Sequence, residues 1–149
     1  MSASVEQLVY QAVIGNAGIT SLLATDAGGN VAFYDKQLPQ QGNLYPAGVY
    51  QRIASPRVFG QGPANQANVG RARFQFVFWG YDTAVLAQID LAVLAMFRTF
   101  DAYNAPGSPP TFIQAGFTAY SSRTLIEPQT QPTLQKLEID VTFWFSDQS

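Results

Sequence analysis

Glu138 and Asp140, two residues apart, are the acid pair in this sequence best spaced for chemistry. On a strand they share one face and stand about 7 Å apart. That separation suits two-carboxylate hydrolysis, or a divalent cation held between oxygens. Lys136 precedes them on the same face, and with it the plainer reading is a solvated or interfacial charge row. Catalysis would also need orienting groups converging on the pair, and no other part of the sequence supplies them.

Other routes to catalysis are narrower still. The chain has no His and no Cys, which removes the commonest general base, thiolate nucleophiles and Cys-based zinc sites. No G-x-S-x-G or S-x-x-K pattern accompanies any serine. Gly60-Gln61-Gly62-Pro63 opens like a phosphate-binding turn, but it lacks the third Gly, the following helix and the P-loop Lys. Arg71 and Arg73 lie two apart on one strand, and Arg52 and Arg57 flank a turn. With a formal charge of −2 and no Lys/Arg run, these read as solvated strand positions rather than the basic footprint that tight nucleic-acid binding needs. The expectation is a protein that is not an enzyme and takes no cofactor and no metal.

The 149 residues fit one domain spanning 1–149, large enough to bury roughly 68–70% of its unfolded surface. Charged residues make up only 12%, about half the usual share of roughly 25%. Amides and hydroxyls must supply the polar surface, with Gln occurring 15 times. Such a surface is cheaper to desolvate, which favours protein–protein contact. Nothing in Met1–Ile14 reads as a secretory signal. The apolar stretch Asp82–Phe100 is broken by Gln88, Asp90 and Arg98, so no membrane span is expected, and the chain is placed in a cytoplasm-like compartment.

The elements that would carry these residues follow from periodicity. Ser4 with Gln7 forms a capping-box pattern that opens a helix over Val5–Ile14, stopped by Gly15 and Asn16. Ile19–Leu23 reads as a short helical turn, closed by the Asp26–Asn30 cluster. Residues 31–46 read as an extended connector, since Pro39 and Pro46 exclude helix. A strand follows at Gly48–Ala54, then a long turn-rich stretch at Ser55–Gly70 that could be an arm or flap. Arg71–Trp79 alternates, with Phe74, Phe76 and Phe78 on one face and Arg73, Gln75, Val77 and Trp79 on the other.

Asp82 caps a second helix, where Val85, Leu86, Ile89, Val93, Met96, Phe97 and Phe100 fill an apolar arc of about 120°. After a loop at Tyr103–Pro110, Thr111–Tyr120 reads as a third strand. Leu134–Phe145 is the last, with Leu137, Ile139, Val141, Phe143 and Phe145 facing the core. The expected fold is α+β: an antiparallel sheet of about four strands with two main helices packed on one face.

Two features favour assembly. The second helix carries Leu91 and Leu94 off its main stripe, with Ala84, Ala87 and Ala95 around them, where a helix on a lone sheet should be polar. Trp79 and Trp144 each sit on the nominally polar face of a strand, and Trp is enriched at interface hot spots. Cover from a loop or helix of the same chain is the competing explanation for both features.

In order along the chain come Leu38-Pro39-Gln40, Tyr45-Pro46 and Val49-Tyr50-Gln51-Arg52-Ile53. After them come Trp79-Gly80-Tyr81-Asp82-Thr83-Ala84, leading into an Ala-rich helix, and Glu138-Ile139-Asp140-Val141-Thr142-Phe143-Trp144. In this order and spacing the sequence resembles the tail-terminator, or tail-completion, family of long-tailed bacteriophages over roughly Val5–Phe145. Ser55–Gly70 and Tyr103–Pro110 are long against that family's pattern.

The resemblance implies a hexameric ring at the tail–neck junction of the virion. Such a ring caps the tail tube and joins it to neck proteins, and DNA passes through without being bound. The partners it implies are further copies of the chain, the tail tube protein and the neck or connector proteins. A closed ring needs two different surfaces per subunit. Ala87, Leu91, Leu94 and Ala95 on the helix, with Trp79 and Trp144 on the sheet, are the candidates. Arg73, Lys136, Glu138 and Asp140 become lumen or interface charges. Competing expectations are a neck or head-completion protein, a tail-tube subunit, or a small enzyme or ligand-binding domain.

Overall fold

A computed structural model describes residues 5–25, 28–39, 44–54, 57–58, 69–98, 119–127 and 134–146. Helix α1 spans Val5–Ile14 and the short α2 spans Ala17–Thr20. Asn16 starts α2, its side-chain oxygen accepting from the Gly18 N–H at 2.9 Å, as an N-cap residue does. Strand β1 (Phe33–Asp35) comes next, then β2 (Ala47–Ala54), the two-residue β3 (Arg57–Val58) and β4 (Val69–Gly80). Helix α3 (Thr83–Arg98) precedes β5 (Ala119–Glu127) and β6 (Leu134–Ser146). The Asp82 carboxylate caps α3, accepting from the Ala84 N–H at 2.9 Å.

The strands form one sheet in the order β1-β2-β4-β6-β5, with β3 attached to β4. The α+β class holds, but the sheet differs from the expected antiparallel four. It has five strands on its main path and is mixed, because β1 runs parallel to β2. Stretch 31–46 reads from sequence as an extended connector. Its residues Phe33–Asp35 add the edge strand, and Pro39 and Pro46 lie in the return to β2 rather than in a ladder. Thr111–Tyr120 was expected as the third strand, and β5 lies later, sharing only Ala119 and Tyr120 with it. The rest of that stretch, Ser4 and Phe100 lie outside the described residues. Of Ser55–Gly70, Arg57–Val58 pairs with Val69–Gly70, so its described ends extend the β2–β4 hairpin beyond a bulge between Arg52 and Ala54.

Alternation in β4 and β6 decides the core. Phe74, Phe76 and Phe78 are fully buried, as are Ile139, Val141 and Phe143, with Leu137 nearly so. Onto this face pack Val9 and Val13 of α1, Ile19 of α2, and Leu86, Ile89, Val93, Met96 and Phe97 of α3. Ring contacts continue the packing: Phe97 lies tilted against Phe76 at 5.6 Å and stacks on Phe143 at 5.7 Å between centroids. Each fully buried side chain of this size contributes about 1.5–3 kcal/mol. Among the described residues, every helix lies on this one face. No helix among them is long and apolar enough to cross a membrane.

Candidate functional site

The opposite face of the sheet carries the residues singled out for chemistry. Register sets Gln51, Gln75, Asp140 and Ser121 in one row across β2, β4, β6 and β5. The next row is Val49, Val77, Glu138 and Arg123, and beyond it come Ala47, Trp79, Lys136 and Leu125. Strand pairing thus brings Arg73, Trp79, Lys136, Glu138 and Asp140 onto one surface, as alternation predicted, and adds Arg123 from β5.

Neutralisation organises this surface. The Arg123 Nε donates to Glu138 Oε1 at 2.7 Å, and Lys136 Nζ stands 4.0 Å from the other Glu138 oxygen. Arg73 reaches Asp140 diagonally at 3.5 Å. Glu138 is the most enclosed of these charges, its side chain 16% exposed, against 52% for Arg73 and 70% for Arg123. Such partly exposed pairs are each worth about 0–1 kcal/mol. They fix side-chain positions more than they stabilise the fold.

The second Asp140 oxygen is buried and has no hydrogen-bond partner. Two shallow depressions meet at Asp140 and Ser121, of about 160 and 290 Å³. Both are smaller than the roughly 300–1,000 Å³ typical of small-molecule sites. Among the described residues, no three acidic side chains gather as a metal-holding group. The acid pair works here as the anionic rungs of a cross-strand charge ladder.

The two tryptophans diverge. Trp79 is half-buried, set between Ala47 and Lys136. Trp144 lies in β6 opposite Arg71, and its side chain falls outside the described residues. On the helical side, Leu91 is 66% exposed and Ala84, Ala87 and Ala95 are exposed, whereas Leu94 is half-buried. Neither α1 nor any other described segment covers Leu91.

One polar cluster escaped sequence reading. Tyr120 O–H donates to Asp90 Oδ1 at 2.7 Å, and Ser122 Oγ donates to Asp90 Oδ2 at 2.8 Å. Burial, then the hydrogen bond to Asp90, pushes the Tyr120 phenol well above its usual range. Asp90 thereby ties α3 to β5. The signal was present as the single carboxylate inside a largely apolar helix, but its partners are 30 and 32 residues away.

Comparison of the chain with protein-family models and with curated proteins finds no match.

Proposed function

We propose that this protein is a structural component of a bacteriophage tail, the terminator whose ring caps the tail tube and joins it to the neck. The observation that carries the reading is the two-sidedness of the sheet. One side bears α3, with Leu91, Ala84, Ala87 and Ala95 turned outward. The other is an uncovered strand face among the described residues, bearing Trp79 and the charge ladder. A heterologous ring contact joins two unlike patches of one subunit, and these two surfaces are unlike and point apart. The ordered sequence pieces from Leu38-Pro39-Gln40 to Trp144 support the same family. In this reading the ladder charges lie at the lumen or a subunit boundary. A chain of net charge −2, repeated around a ring, repels rather than grips passing DNA.

Light scattering of the purified protein, with negative-stain images of it alone and mixed with tail tubes, tests this. The expected result is a ring, of six copies by family resemblance, present in solution or formed at tube ends. A particle that stays monomeric and leaves tube ends bare overturns it. Rings that bind the connector but never the tube would reassign the protein to the neck.

A further inference from the structure

The two ends of the sheet differ. At β1 the edge is three residues long and closed by local bonds: the Phe33 N–H donates to Val31 O, and the Gln37 N–H to Asp35 O, both at 2.8 Å. At the other end β5 runs nine residues, Ala-Tyr-Ser-Ser-Arg-Thr-Leu-Ile-Glu, paired through β6 on one side. Among the described residues no strand lies along its other side. Natural edges are blunted by charged side chains, Pro, bulges or brevity; β5 is nine residues long with no Pro and no bulge, and its two charged positions, Arg123 and Glu127, are of opposite sign. Its apolar residues are exposed in sequence, Leu125 at 37% and Ile126 at 66%, and alternation puts them on opposite faces of the sheet.

We propose that the free edge of β5 pairs with the β5 edge of a second copy, antiparallel, about a twofold axis at Leu125. An antiparallel self-pairing is defined by the residue at its centre, and Leu125 is the centre at which apolar meets apolar: centred on Thr124, Leu125 would face Arg123 and Ile126 would face Ser122. Centred on Arg123, two like charges would stand directly opposite, which is destabilising. Centred on Ser121, the ladder would leave Leu125 and Ile126 at its frayed end. Centred on Leu125, the two leucines meet and each Thr124 falls opposite the second copy's Ile126. Each Arg123 then falls opposite position Glu127, so the charged positions of the strand meet as opposites. Arg123 is held from within its own sheet by Glu138 at 2.7 Å, and a guanidinium has donors to spare for a second acceptor. The two sheets join into one. The contact is twofold, hence additional to the head-to-tail contacts of the proposed ring, and it holds with or without that ring.

The absence of cysteine makes a direct test available. In this register the two Leu125 Cα atoms stand about 4.5–5.5 Å apart, within the roughly 4.4–6.8 Å that a disulfide spans. Leu125→Cys should form a covalent dimer under mild oxidation, while Ser121→Cys and Arg123→Cys, tested alongside, should not. Equal cross-linking at all three positions, or none at 125, overturns the proposal. Independently, Leu125→Lys should halve the particle mass seen by light scattering while leaving the circular dichroism spectrum unchanged. A wild-type particle of 16.2 kDa, or a mass indifferent to Leu125→Lys, overturns it as well. A ring whose mass is unchanged by Leu125→Lys removes the edge contact and leaves the terminator reading standing. A wild-type dimer that ignores tube ends does the reverse.

Discussion

Gly48 has no side chain because Phe78 occupies the space one would take: an added Cβ would stand 2.4 Å from the ring. Phe78 is fully buried and stacks on Phe33 at 6.1 Å, so it has nowhere to retreat. Gly48→Ala should therefore cost about 1–3 kcal/mol, the range for overpacking a filled core. A lowered urea midpoint with an unchanged slope would register it. Tyr120 makes a prediction in pH. Its phenol is held above the usual range by burial and by the bond to Asp90. The unfolded chain therefore releases this proton near the ordinary value of about 10, before the folded chain does. The stability it contributes is whole below that pH and is lost as pH rises through and beyond it. Tyr120→Phe should cost about 1–2 kcal/mol at neutral pH and make unfolding between about pH 10 and 12 less steep than in the wild type. Equal steepness in both proteins would place the alkaline sensitivity elsewhere.

Among the elements, α3 carries the most. Its inner stripe, Leu86, Ile89, Val93, Met96 and Phe97, is buried against β4 and β6. Asp90 at the stripe's edge holds Tyr120 and Ser122 of β5. Its outer side keeps Leu91 in solvent. A substitution at this largely exposed position should change stability by no more than about 0.5 kcal/mol. Leu91→Glu should leave the circular dichroism spectrum and melting temperature near wild type while abolishing ring formation in light scattering. An intact ring would remove this helix face from the interface. The element least like its expectation is β5. Its residues Ser121, Ser122, Arg123 and Thr124 are polar on both faces, because its outer face is solvated and α3 covers its inner face only around Tyr120. Period-two alternation, the usual mark of a half-buried strand, is therefore missing from it.

At the scale of the molecule, a sheet that among the described residues has helices on one face only and one long edge without a partner strand leaves three distinct surfaces for association. The helix side and the strand face suit the two unlike contacts of a ring, and the edge suits a twofold one. A chain with only 12% charged residues presents these surfaces at a low cost of desolvation. The sizing experiments above therefore read two independent contacts, each with its own substitution.

The sequence by itself determined what short-range physics controls. Helix α1 spans Val5–Ile14 as its apolar spacing required, and Asp82 caps α3. Strands β4 and β6 turn Phe74, Phe76, Phe78, Leu137, Ile139, Val141 and Phe143 inward in strict alternation. It also determined that Glu138 and Asp140 share a face, since a period of two admits nothing else. Tertiary structure decided the rest. Which strands neighbour one another depends on contacts far apart in the chain, so the parallel placement of β1, the edge position of β5 and the Arg123–Glu138 pair had no local signature. The exposure of Leu91 was likewise open, because a helix does not encode whether another element will cover its outer side. That outcome belongs to the packing of α1 and α2, which lie elsewhere on the core.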